Sequence, residues 1–167
     1  CKVVYLPRTE GISSTMLRAA SQDEIRLGVI GCGRIAHKFA NEAPNVSGVV
    51  ISGAYDIDEK QVVAFAKDFN IPSVYKDADE LIESVDAVYI ATPNTSHCDL
   101  IKRALNKGKH VLCENALVTN EADAQEIFSL AEQNKVVLME ALKTAYCPAF
   151  NHLMTMIKSG LIGEVVD

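Results

Sequence analysis

Apolar residues along this chain follow two alternating patterns. Six short segments, Arg26 to Ile30, Gly48 to Tyr55, Ser73 to Tyr75, Ala87 to Ala91, His110 to Cys113 and Val136 to Met139, are apolar at mostly consecutive positions. Runs of this length and β-branched content read as strands buried on both faces. The segments between them carry helical periodicity. Asp58 to Phe69 sets Val62, Val63, Phe65, Ala66 and Phe69 on one face and ends at Asn70-Ile71-Pro72. Further helices are predicted near Ala78 to Ser84 and from about Ser96 to Lys107, the latter stopped by Gly108 as the residue after the C-cap. Thr119 reads as the N-cap of a helix through Gln133, and Pro148 opens a last helix that Gly160 closes. Strands separated by helices imply parallel β-α-β units with right-handed crossovers. The expected fold class is α/β, a doubly wound parallel sheet covered on both faces.

The turn after the first strand carries the most specific chemistry. Gly31-Cys32-Gly33-Arg34-Ile35-Ala36 follows Ile30 directly, and Asp56 stands twenty residues past Ala36, at the end of the second strand. Strand, glycine turn, helix, strand and acid in that order form a dinucleotide-binding fingerprint. Gly31 permits the tight turn, Gly33 leaves room for a pyrophosphate against the backbone, and Ala36 lets helix and strand pack closely. Arg34 and Ile35 open the helix, whose free N–H groups and dipole favour the pyrophosphate. Asp56 would accept hydrogen bonds from the adenosine ribose and repel a 2′-phosphate, so the expected cofactor is NAD rather than NADP.

In a sheet of this kind ligands bind at the carboxyl ends of the strands. Those ends supply Gly31 to Arg34, Asp56, Thr92-Pro93-Asn94, Glu114-Asn115 and Glu140 to Lys143. The expected cofactor contacts are therefore Gly31, Gly33, Arg34, Ile35, Asp56, Thr92, Pro93, Asn94, His97 and Glu114, with His97 as a structural or cofactor-adjacent group and not a base. Thr92-Pro93-Asn94-Thr95 also has the composition of an ordinary turn and helix cap.

Composition narrows the setting. The 167 residues are 49% hydrophobic, enough for one full domain with a real core. A net charge of −6 argues against nucleic acid as a main partner, and no apolar run approaches the roughly eighteen residues a membrane helix needs. Five cysteines without C-x-x-C spacing point to a reducing, cytoplasmic setting, and the four histidines show no metal-ligand spacing, so no metal is expected.

From Arg26 to Asp167 the chain resembles the N-terminal domain of the Gfo/Idh/MocA oxidoreductases. The stretches that carry the likeness are Gly-Val-Ile-Gly-Cys-Gly-Arg-Ile-Ala (28–36), Ala-Thr-Pro-Asn-Thr-Ser-His (91–97), Gly-Lys-His-Val-Leu-Cys-Glu (108–114), Met-Glu-Ala (139–141) and Gly-Leu-Ile-Gly-Glu-Val (160–165). The resemblance implies NAD(P)-dependent oxidation or reduction of a small sugar-like alcohol or carbonyl. It implies a dinucleotide-binding Rossmann domain over 26–147, with 148–167 connecting to a second α/β substrate domain that is missing from these residues. The partner is then a homo-oligomer or the remainder of a longer chain. Family members usually carry Glu-Lys-Pro where this chain reads Glu114-Asn115-Ala116. An amide orients a hydroxyl but cannot take its proton near neutral pH, as a lysine of lowered pKa can. Asn115 and Lys143, the latter at the neighbouring strand end, are thus the candidate catalytic pair. Lys143 as an ordinary solvated lysine is the competing reading.

Residues 1–25 stand outside this domain. Cys1 to Pro7 reads as a strand, and Arg8-Thr9-Glu10-Gly11-Ile12-Ser13-Ser14-Thr15 leads into a helix near Ala20. The octet resembles the closing motif of glycerol-3-phosphate cytidylyltransferases. That likeness implies anion binding by Arg8, Ser13, Ser14 and Thr15, although their H-x-G-H motif is absent from the sequence. A disordered extension is the alternative. Three functional classes stay open: an oxidoreductase half, a catalytically silent dinucleotide-binding module, and part of a bifunctional cytidylyltransferase–oxidoreductase.

Overall fold

A computed structural model describes residues 24–163. The expectations for Arg8, Ser13, Ser14 and Thr15, and for the strand and helix before residue 21, lie outside those residues. Five strands, β1 (Ile25–Ile30), β2 (Val49–Tyr55), β3 (Ala87–Ile90), β4 (His110–Cys113) and β5 (Leu138–Glu140), form one sheet in the order β2-β1-β3-β4-β5. Every pairing is parallel. The chain leaves β1 toward β2 and returns on the other side to β3, so the order reverses between β1 and β3. That reversal parts the loops at the carboxyl edge and opens a crevice there.

Helices α1 (Arg34–Glu42), α2 (Glu59–Asp68), α3 (Ala78–Ser84), α4 (His97–Asn106) and α5 (Glu121–Asn134) cover the sheet. One face packs Val29, Tyr89, Ala36, Ala40, Val62 and Phe65 beneath α1 and α2. The other packs Ile30, Leu81, Ile90, Ile101, Leu105 and Ile127 beneath α3, α4 and α5. Burial on both sides is why β1 reads as an unbroken apolar run. Cover is incomplete over β4 and β5 on the α1 side, where Leu112 is only partly buried and Met139 is 37% exposed. Two further helices, α6 (Lys143–Tyr146) and α7 (Pro148–Lys158), follow β5 and bury no residue.

Local chemistry accounts for the departures from the sequence pattern. Segment 73–75 makes only a single bridge, Val74 to Ala54, held by two backbone bonds of 3.0 Å. Helix α5 is capped by Asn120 rather than Thr119, because the Asn120 side-chain oxygen reaches the Asp123 N–H at 2.8 Å. A 3-10 turn at Asn94–Ser96 delays α4 to His97, and β5 begins two residues later than expected. Helix α6 was not expected at all, and its four residues carry too little periodicity to be read.

Candidate functional site

The β1–α1 turn is built by steric demand. Gly31 has φ +90°, and a Cβ there would stand 2.8 Å from the backbone carbon and oxygen of Ala91 at the end of β3. Only glycine allows the turn to press so closely on the neighbouring strand. Gly33 differs: a Cβ would meet nothing within 4 Å. It is the N-cap of α1, and no side chain caps that helix. The first-turn N–H groups and the positive end of the helix dipole therefore lie beside open space that glycine keeps clear. Ala36 is fully buried and seats the helix on the sheet.

Beside this turn lies a cavity of about 590 Å³ lined by Gly31, Gly33, Asp56, Ile57, Thr92 and Pro93 among others. Asp56 is fixed at its rim: Oδ2 accepts from the Cys32 N–H at 2.7 Å and Oδ1 from the Asp58 N–H at 2.8 Å. A carboxylate oxygen has a second lone-pair direction, so both remain able to accept from a ligand hydroxyl. The Cys32 thiol is buried against this turn and is pushed up to about 12, first by burial and then by the Asp56 charge. It is an inert packing group.

A second cavity, about 610 Å³, lies over the incompletely covered sheet face and is lined by Ile35, Phe39, Tyr89, Glu114, Glu140 and Lys143 among others. Side chains from neighbouring strand ends tie down the loop after β4. Tyr89, which stacks on Phe39, donates its hydroxyl to Glu114 Oε1. Burial and the Glu114 carboxylate both hold the Tyr89 phenol protonated. Glu140 Oε1 accepts from Asn115 Nδ2 and from the Leu117 N–H, each at 2.9 Å. Tyr89 was not singled out from sequence, and Glu140 was placed among the strand-end residues of the crevice without a role.

The geometry places His97 on the structural side of its expectation and sets the expected catalytic pair apart. His97 is completely buried, with one ring nitrogen 2.8 Å from the Ala116 carbonyl and the other 2.8 Å from that of Thr92. It braces the loops after β3 and β4 against each other and has no free nitrogen for a cofactor. Nor are Lys143 and Asn115 brought together. The Lys143 ammonium is 74% exposed and turns to Glu42 at the far end of α1, 3.8 Å away, while the Asn115 amide is bound to Glu140. Arg34 and Asn94 are solvent-exposed at the edge of the crevice. Among the described residues no group of three His, Cys, Asp or Glu is placed to hold a metal, and no helix is long and apolar enough to cross a membrane.

Residues 25–142 match the model of the GFO_IDH_MocA oxidoreductase family, NAD-binding Rossmann fold. The chain belongs to this family. Over 131 residues this family member is 36% identical to scyllo-inositol 2-dehydrogenase (NADP(+)) IolU of Bacillus subtilis, covering 77% of the chain and 40% of that relative. It is similar in structure to KijD10, a 3-ketoreductase from Actinomadura kijaniata solved with NADP and TDP-benzene. There the TM-score is 0.78 and the identity 31%, over 84% of this chain and 44% of the other. An oxidoreductase from Agrobacterium radiobacter, in complex with NAD+, L-tartaric acid and magnesium, matches with a TM-score of 0.79 at 26% identity, covering 84% of this chain and 42% of that one. The chain spans about 40% of the length of the relatives it matches. It is an oxidoreductase-family Rossmann domain, in a family whose members bind NAD or NADP.

Proposed function

We propose that this chain is the cofactor-holding half of an oxidoreductase acting on a sugar, polyol or inositol-like alcohol or carbonyl, and that it takes NAD in preference to NADP. The fit of a dinucleotide rests on the open space at Gly33, the uncapped α1 N-terminus and the fixed Asp56 carboxylate. Gly33 and the first turn of α1 hold the pyrophosphate, and Asp56 accepts from the adenosine ribose. The Glu114–Leu117 loop forms the floor on the nicotinamide side. When bound, the cofactor supplies hydride exchange with a carbinol or carbonyl carbon. Asn115 orients a hydroxyl there without taking its proton. The substrate class is drawn from relatives such as IolU and KijD10.

The observation that carries the NAD preference is the Asp56 carboxylate at the cavity rim, with Asp58 two residues on. A 2′-phosphate would meet charge repulsion and lose the ribose contact, a difference of about 1–3 kcal/mol, or roughly 5- to 150-fold in Kd. Calorimetric titration of the chain with NADH and NADPH tests this, with Asp56→Asn expected to bring the two affinities together. Equal or reversed affinities in the wild-type chain overturn the role given to Asp56.

A further inference from the structure

Two glutamates set the hydrogen-bonding character of the 610 Å³ cavity. Glu114 directly follows β4 and Glu140 ends β5, where it is the register partner of Cys113; both line the cavity. Each is anchored through Oε1. Glu114 takes the Tyr89 hydroxyl there, and Glu140 takes the Asn115 amide and the Leu117 N–H, each at 2.9 Å. A carboxylate has about four lone-pair directions, so both are fixed in place and still able to accept from a ligand. Among the described residues neither glutamate takes part in an ion pair. No third His, Cys or Asp joins them there to complete a metal site. Their charge is felt in the strand behind them: burial first, then Glu114 and Glu140, push the Cys113 thiol up to about 12.

The cations that line the same cavity are poorly placed to offset this charge. Lys143 is 74% exposed and lies 3.8 Å from Glu42, and Lys38 is exposed, whereas Glu114 and Glu140 are half-buried. Water and salt screen the two lysines more than the two glutamates, which leaves a negative field in the cavity. Asn115 adds to the same polarity, because its Nδ2 is turned to Glu140 and its carbonyl oxygen therefore lies on the other side of the amide. Ile35, Phe39, Leu112 and Met139 supply apolar lining that suits the C–H face of a ring. We propose that Glu114 and Glu140 set the charge class of the substrate: the cavity takes a polyhydroxylated ring that is neutral or carries an amine, whose O–H or N–H groups donate to the two carboxylates, and it turns away phosphorylated or carboxylated rings. This rests on the oxidoreductase reading above and narrows its substrate class.

The test titrates the 167-residue chain, with amide NMR shifts as the readout, against three probes that differ at a single carbon: glucose, 6-amino-6-deoxyglucose and glucose 6-phosphate. Saturable shifts are expected around Glu114 and Glu140, several-fold tighter for the amine than for glucose and about 10-fold or more weaker for the phosphate, since like charges brought together repel strongly. Glu114→Gln and Glu140→Gln each keep an oxygen for the Tyr89 hydroxyl or for the Leu117 N–H, so the loop after β4 stays held while one charge is lost. Each single variant should weaken glucose and the amine about 10-fold, and the double variant should abolish the spread between amine and phosphate. A phosphate that binds the wild-type chain as tightly as glucose overturns the proposal, and that measurement needs no variant. So does a charge order that survives both single variants, because the selecting field would then arise elsewhere. Shifts that map away from the two glutamates, or no saturable binding of any ring, also overturn it. NADH titrated in parallel keeps the two readings apart: a chain that binds NADH and fails with the rings retains the cofactor reading, and one that binds neither loses both.

Discussion

A Cβ at Gly31 would enter the backbone of Ala91, which cannot rotate away as a side chain could, and it would also force an alanine to φ +90°. Overpacking and a left-handed non-glycine residue together cost about 2–4 kcal/mol. Gly31→Ala should therefore lower the denaturation midpoint markedly, and chemical denaturation read by circular dichroism measures it. Gly33→Ala meets open space and an ordinary backbone conformation, so it should leave stability nearly unchanged and weaken NADH instead. The contrast separates the structural glycine from the ligand glycine. Acid sensitivity has a named source at the same scale. Arg26 donates to Asp86 from its backbone N–H and its guanidinium, and this holds the Asp86 carboxyl down at about 2. An unfolded aspartate titrates near 4, so as pH falls from about 4 through about 2 the unfolded chain takes up a proton the folded chain resists. The pair's contribution is complete above that window and disappears below it. Asp86→Asn should flatten the acid limb of a stability–pH profile in that window. Cys113, like Cys32, is buried and pushed up to about 12, so neither thiol should react with iodoacetamide at pH 8 until the chain unfolds.

At the scale of elements, α3 sits in a trough made by two paired glycines. Gly28 on β1 is in register with Gly53 on β2, and Leu81 of α3 rests over both. A Cβ on Gly53 would come within 2.7 Å of the Leu81 tip and the Tyr75 ring, both of which can move. Gly53→Ala should cost less than Gly31→Ala, about 1–2 kcal/mol by the same denaturation measurement. Neither glycine was read from sequence as a packing device, because a glycine inside a strand announces close approach without saying of what. The alternation of β1 with α1 and of β3 with α4 was legible, since runs buried on both faces and helices with one apolar face differ in period. So was the β1–α1 turn, whose glycines fall at fixed offsets from a strand. What stayed hidden depends on contacts distant in sequence: Glu140 holding Asn115 and Leu117, Tyr89 bound to Glu114, Arg103 reaching the cavity, and His97 turned inward between two carbonyls. Lys143 stood at the expected strand end, but backbone position did not reveal that its side chain leads to Glu42.

At the scale of the whole molecule, β5 and the residues after it carry several of the exposed apolar side chains. Met139, Leu142, Tyr146 and Leu153 are all more than a third exposed, and α6 and α7 bury nothing among the described residues. Exposed apolar side chains clustered in sequence can promote association. Sedimentation velocity should show concentration-dependent self-association of the chain, and Leu153→Glu should reduce it without changing the melting midpoint. A monomer at all concentrations would argue that α7 screens these side chains by itself.

The parallel sheet also governs how the native state is reached. Among the described residues no ladder joins strands that a short turn could bring together: β3 meets β4 through Ala87 and His110, and β1 meets β3 through Leu27 and Ala87, sixty positions apart. Closing the β1–β3 loop loses the most chain entropy before any pairing rewards it, which makes that encounter the natural bottleneck of folding. Trimming Val88 in β3 should then slow refolding, while trimming Val111 toward the β5 edge should mainly hasten unfolding, and chevron plots of the two variants separate these outcomes. The strand reversal that opens the ligand crevice is thus also the slowest contact for the chain to find.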